Sequence, residues 1–203
     1  MIRIQAEVML VALALATVTR KTPAQRSATP PSQGAVVPVD SVDLDRYAGR
    51  WYEVARFPNS FQSDCAGETV AEYERLTSGQ IRVVNQCRQA DGTMKRAEGR
   101  AKLADNDGPT SRLKVRFAPA FLSFLPMVWG NYWVLDLTAD YSAALVGDPG
   151  RKYLWVLSRT PVMADSIYRR MVGTAERQGF DVRRLERSPV SPDSAPGGPR
   201  TSP

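Results

Sequence analysis

Any chemistry in this 203-residue sequence has to proceed without histidine, because the chain contains none. That removes the commonest general base, the Ser–His and Cys–His nucleophile pairs, and imidazole-ligated zinc or haem. The two cysteines, Cys65 and Cys87, are too few for a four-cysteine zinc site and lack the Cys-x-x-Cys spacing of a redox pair. Acid–base work would fall to Glu53, Asp136 or a tyrosine, and carboxylates in strands are more often surface or paired groups. The sequence therefore nominates no catalytic residue, no metal ligand and no cofactor. What it does hold is a set of polar and aromatic residues inside apolar strand-like runs, notably Asn85, Tyr132, Tyr153 and Trp155. Such groups suit holding a molecule better than making or breaking its bonds.

The elements that would position them follow from periodicity. Hydrophobic residues make up 43% and charged residues 24% of the chain, which fits one soluble domain with a core. The net charge of +6 is dispersed, with only short doublets such as Lys95-Arg96 and Arg183-Arg184. It reads as solvated strand faces and gives no nucleic-acid footprint. A short helical turn over 42–47, capped by an Asp, leads into Gly49. Strands are expected at 50–57, 69–76, 81–88, 94–103, 112–117, 131–137, 142–146 and 152–159. Turn signals such as Ser78-Gly79, Asp91-Gly92 and Gly147-Asp148-Pro149-Gly150 separate several of them. An amphipathic helix over 164–178 follows, ended by Gly179, with a possible ninth strand at 180–185. Eight sequential antiparallel strands can close into an all-β, up-and-down barrel, with the helix packed on its outside.

Strand parity then proposes the barrel lining. At 112–117, Leu113, Val115 and Phe117 face in, and Arg112, Lys114 and Arg116 form a solvated basic face. Val83 and Asn85 face in on their strand, as do Tyr153, Trp155 and Leu157 on theirs; Tyr132 and Val134 share the inward parity of 131–137, and Tyr73 is a further candidate. A mostly apolar cavity with few polar groups suits an amphipathic ligand, to which Asn85, Tyr132 and Tyr153 could hydrogen-bond. The alternative is a solid barrel filled by these same side chains.

Three motifs make the pattern specific. Gly49-Arg50-Trp51-Tyr52-Glu53-Val54-Ala55-Arg56 opens the first strand. Ala139-Asp140-Tyr141 lies between the sixth and seventh, and Arg159 closes the eighth within Trp155-Val156-Leu157-Ser158-Arg159-Thr160-Pro161. In order and spacing they resemble the lipocalin family, in its bacterial lipocalin, apolipoprotein D and temperature-induced lipocalin branch. The second motif departs from that family's Thr-Asp-Tyr at its first residue. The resemblance implies that Trp51, after Gly49, plugs the closed end and that Arg159 packs across its ring by cation–π attraction. It also implies that Asn85 and Trp155 occupy pocket-lining positions, and that the protein serves in envelope maintenance or stress.

Several expectations complete the reading. The function expected is non-enzymatic transport or storage of a fatty acid, lysophospholipid or similar lipid. The rivals are an interaction module with a filled barrel, or an isomerase. Residues 118–130 form an apolar stretch that is neither alternating nor helical, and the resemblance implies that it lies at the barrel mouth. Phe121, Leu122, Phe124 and Leu125 are candidates for membrane contact; folding over the ligand or a dimer contact are the other uses, so monomer and dimer both stand. Cys65 and Cys87 are expected to pair in an oxidising compartment, the alternative being two inert buried thiols. Residues 1–18 resemble a secretory leader whose apolar run is too short to span a membrane. Residues 19–41 read as a flexible linker, 42–187 as the barrel domain and 188–203 as a disordered tail. The protein is therefore expected to be exported, periplasmic or envelope-associated, with no cysteine near the leader to carry a lipid.

Overall fold

The computed structural model describes residues 34–189. The expected leader (1–18) and most of the expected linker and tail lie outside the described residues. Asp43 caps a one-turn helix, α1 (Leu44–Tyr47), its carboxylate accepting from the amides of Asp45 and Arg46. Eight strands follow: β1 (Gly49–Arg56), β2 (Cys65–Arg75), β3 (Ile81–Gln89), β4 (Met94–Leu103), β5 (Arg112–Arg116), β6 (Gly130–Leu137), β7 (Ala143–Gly147) and β8 (Leu154–Ser158). After them come α2 (Asp165–Arg177) and the two-residue strand β9 (Glu186–Arg187).

From β2 to β8 each strand pairs antiparallel with the next, and β1 pairs with both β8 and β2. The sheet is thereby closed into an eight-stranded barrel, in which each of the eight strands has a partner on both sides. β1 manages both partners through a register shift between Glu53 and Ala55: Gly49 to Tyr52 pair with β2, and Tyr52 to Arg56 with β8. β9 adds outside β1 near its far end, where Ala55 faces Arg187.

Two layers of packing result. Inside the barrel, Trp51, Tyr47, Val83, Leu113, Val134 and Val146 belong to one buried cluster. Outside it, α2 lays Met171 and Ala175, with Ile167 and Tyr168 beside them, onto Leu135, Leu145, Val156 and Phe57. Gly179, at a φ of 80°, ends α2, and the Phe180 amide reaches back to the Ala175 carbonyl at 3.1 Å.

The chain departs from its sequence expectations at both margins of the domain. The ninth strand is not at 180–185, where Val182–Arg184 is a 3-10 turn; it comes one step later, at β9. Phe180, Val182 and Leu185 are apolar because they pack on the outer layer, not because they alternate across a sheet. Residues 34–41 do not behave as linker. Val36 and Pro38 are buried, the Val39 amide donates to the Val134 carbonyl, and Gln178 bonds both the amide and the carbonyl of Val37. The run Val36-Val37-Pro38-Val39 carries enough apolar surface to be held on the barrel.

Candidate functional site: the barrel cavity

The floor is built first, because it decides which end is closed. Trp51 is fully buried, and its indole N–H donates to the Tyr47 carbonyl at 2.8 Å. The Arg159 guanidinium lies 3.9 Å from the centroid of its ring. The same guanidinium donates to the carbonyls of Arg50 (2.8 Å), Arg46 (2.7 Å) and Tyr141 (3.3 Å). It therefore laces α1, β1 and the β6–β7 turn together over the plug. Burial draws the Arg159 pKa below its ordinary value. Gly49 is required here: its φ is 91°, and a Cβ would sit 3.3 Å from Arg159 Nη1. In the β6–β7 turn, Ala139 takes no side-chain part. Thr138, one residue earlier, supplies the hydroxyl that accepts from the amides of Ser142 and Ala143, both at 2.9 Å.

Above Trp51, three tyrosines converge. The Tyr132 hydroxyl meets that of Tyr47 at 2.8 Å and that of Tyr73 at 3.0 Å. Burial pushes the Tyr73 hydroxyl up to about 12, and those of Tyr47 and Tyr132 are raised well above their ordinary value for the same reason.

From this floor to the mouth runs a cavity of about 650 Å³. That lies within the range of small-molecule sites. Of the residues expected to line the barrel, Asn85, Tyr132, Trp155, Val83, Leu113, Val115, Phe117 and Tyr153 all do so. Val134 does not; one inward position nearer the closed end than Tyr132, it is packed into the floor cluster with Val146 and Ala144. Two wall atoms, Asn85 Oδ1 and Thr69 Oγ1, are buried without a protein partner. On the inner face of β4 stand small residues: Ala97 and Ala101 line the cavity, and a Cβ on Gly99 would meet the Phe117 ring at 2.8 Å and the Arg116 carbonyl at 2.5 Å.

Sequence parity did not find these small residues, since alternation registers large apolar side chains and is blind to missing ones. It also missed Phe61, Gln62 and Glu53, which line the upper cavity. Glu53 Oε1 accepts from Arg56 at 2.9 Å and Ser188 at 2.5 Å, and Oε2 from Gln62 at 2.7 Å. Gln62 in turn accepts from the Trp155 indole at 3.1 Å. The Tyr153 and Trp155 rings stack at 5.8 Å, with Phe61 close to both. As for the carboxylates available for acid–base work, Glu53 is thus held by three donors. Asp136 is outside the barrel, bonded to Arg170 and Thr174 of α2.

At the mouth, Cys65 and Cys87 form a disulfide with a Cα–Cα distance of 5.6 Å. The apolar segment between β5 and β6 makes two 3-10 turns, Ala120–Leu122 and Pro126–Val128. Phe121, Phe124 and Met127 are 74%, 76% and 85% exposed, whereas Leu122 and Leu125 are half-buried. This segment also overturns the expectation of a fully solvated basic face on β5. Arg116 is buried, and its guanidinium donates to the carbonyls of Ala118 and Pro119, both at 2.6 Å. Trp129 folds back between Arg116 and Lys102, which lie 5.2 and 4.6 Å from its ring. Arg112 covers Trp133 in the same way at 4.8 Å. The alternating charges on this strand serve aromatic rings as well as water.

Comparisons with known proteins agree with this architecture. A family model described as a lipocalin-like domain matches residues 42–190. Temperature-induced lipocalin-1 of Arabidopsis thaliana is 41% identical over 154 residues, covering 75% of this chain and 82% of that protein. The outer membrane lipoprotein Blc of Citrobacter freundii is 38% identical over 160 residues, covering 78% of this chain and 84% of its own. Among solved structures, insecticyanin from the tobacco hornworm Manduca sexta superposes with a TM-score of 0.61 at 21% identity, over 78% of this chain and 86% of that one.

Proposed function

The chain belongs to the lipocalin family, and from that premise we propose that its barrel binds and carries, or stores, a single-chain amphipathic lipid such as a fatty acid or lysophospholipid. The observation that carries the proposal is the open, mostly apolar cavity of about 650 Å³ above the Tyr47–Tyr73–Tyr132 floor. Each methylene moved from water into such a space contributes about 0.8 kcal/mol. Asn85 and Thr69 are wall residues whose Oδ1 and Oγ1 are buried without a protein partner, and a side-chain rotation toward the cavity would let them orient a ligand. Removal from water, not bond chemistry, is the service the arrangement supports.

The location proposed is outside the cytoplasm, periplasmic or at the envelope. The Cys65–Cys87 bridge supports it, because such bonds persist in oxidising compartments. With both cysteines of the sequence in that bridge, neither is free to hold a thioether-linked lipid. The mouth is the proposed membrane contact, made by Phe121, Phe124 and Met127, since exposed apolar patches mark such sites. Leu122 and Leu125, more covered, support them from behind.

The test is native mass spectrometry of the purified protein with organic extraction, followed by titration of the delipidated protein with stearate or lysophosphatidylcholine. Bound lipid and quenching of Trp155 fluorescence are expected. A delipidated, folded barrel that takes up neither probe would overturn the carrier reading. Replacing Phe121, Phe124 and Met127 by Ser is expected to reduce liposome partitioning while leaving lipid binding in solution intact.

A further inference from the structure

The floor of the cavity holds one hydrogen-bond donor more than its own residues can use. Tyr47 and Tyr73 each meet the Tyr132 hydroxyl, and no hydrogen bond joins Tyr47 to Tyr73. A phenol has a single O–H and can also accept. Three phenols linked by two hydrogen bonds use two hydrogens and leave the third without a protein acceptor. Tyr47 is not on the cavity wall, whereas Tyr73 and Tyr132 are. Either phenol of each pair can donate, so the spare hydrogen can rest on Tyr47, Tyr132 or Tyr73, and an acceptor in the cavity draws it to Tyr132 or, one relay step on, to Tyr73. Both places face the cavity. Because burial holds all three phenols well above the physiological range, the spare donor is neutral and always present.

The depth of this donor distinguishes it from the mouth. Tyr73 pairs with Val83, and four residues up the same strand Cys87 pairs with Lys95, a lysine of the cavity wall. Four residues of strand span about 13 Å. Lys95, held by Asp64 at 2.7 Å, thus places a positive charge near the mouth, far above the tyrosines. A carboxylate or phosphate driven down to the floor would lose its water and meet only neutral donors there, which is costly. A neutral oxygen loses little and gains a partner. Phenylalanine in place of the tyrosines would fill similar space with no hydroxyl to desolvate, so the polar floor is a cost unless something accepts from it.

We propose that the Tyr73–Tyr132 floor is a second polar subsite, which accepts a neutral hydroxyl or keto oxygen on the deeply buried part of the cargo while the headgroup stays near the mouth. The cargo class is then an oxygenated acyl chain, not a plain one. This inference rests on the reading of the barrel as a lipid carrier.

The experiment compares stearate with a series of hydroxystearates whose hydroxyl moves along the chain, titrated into the delipidated wild-type protein. One positional isomer, the one reaching the floor, is expected to bind about fivefold more tightly than stearate, the gain of one neutral hydrogen bond. In Tyr73→Phe/Tyr132→Phe, the ratio of that isomer's affinity to stearate's is expected to fall to about one, a comparison made within the folded variant so that any change in stearate binding cancels. Equal affinity for every isomer in the wild-type protein would mean that water satisfies the spare donor, and would overturn the proposal with no variant needed. A preference that survives in a folded double variant would overturn it too. Failure of stearate itself to bind would instead strike at the carrier reading.

Discussion

The two ends of the barrel are built on opposite rules. At the closed end the plug and its clasp are engaged: the Trp51 indole N–H by the Tyr47 carbonyl, and the Arg159 guanidinium by three backbone carbonyls. At the mouth, aromatic and thioether side chains stand in solvent, and the walls below carry Asn85 and Thr69 atoms without partners. The closed end is a solved packing problem, and the mouth is an unfinished one. The buried aromatic packing is thus concentrated at the closed end, and the exposed apolar surface at the mouth.

The largest effect expected is at the plug. Trp51→Ala should lower unfolding free energy by about 3–5 kcal/mol in a denaturant titration, the range for truncating a buried aromatic. A loss under 1 kcal/mol would mean that the closed end is not where stability resides. Next comes the bridge, which fastens the mouth covalently where packing does not. Cys65→Ser/Cys87→Ser should cost about 3 kcal/mol, measured in the same way. The tyrosine floor, between the two ends, supplies a pH test. A phenol whose folded pKa is raised from 10 to about 12 stabilises the fold fully below pH 10, and that stability is lost as pH rises through about 12. Unfolding monitored between pH 10 and 12 should therefore show falling stability. Tyr73→Phe should flatten the decline. The smallest effect belongs to the rim: Phe124→Ser should change stability by no more than about 0.5 kcal/mol.

The same contrast explains what could be read from residues alone. The closed end was legible because its residues are large, distinctive and fixed in order: Gly49 and Trp51 on one strand, Arg159 at the end of another. Alternation also located the strands and ten wall positions, Tyr73 and Leu157 among them, because each of these residues is large enough to signal a face. Legibility failed where the physics is not periodic. Arg116 reads as solvated, but its environment is set by a loop that folds back on its own strand. Phe61 and Gln62 sit in a 3-10 turn, where parity has no meaning. Val36 and Pro38 read as linker because Pro and Ser surround them, yet both are buried, Val36 in the outer core, and Gln178 bonds the Val37 backbone between them. Alternation also cannot tell a wall from a floor, which is why Val134 shares the parity of Tyr132 and not its exposure to the cavity.

The inner face of β4 carries a consequence for how such a protein could diversify. The room in this barrel is made partly by small side chains at Ala97 and Ala101, while Gly99 between them gives its space to the Phe117 ring. None of these three touches the Arg159 clasp that seals the far end. Enlarging Ala97 to Leu or Phe would shorten the acceptable cargo by the volume of one side chain, without altering the bonds that close the barrel. A lineage could thus retune what it carries through single substitutions on one strand while inheriting the rest of the container unchanged.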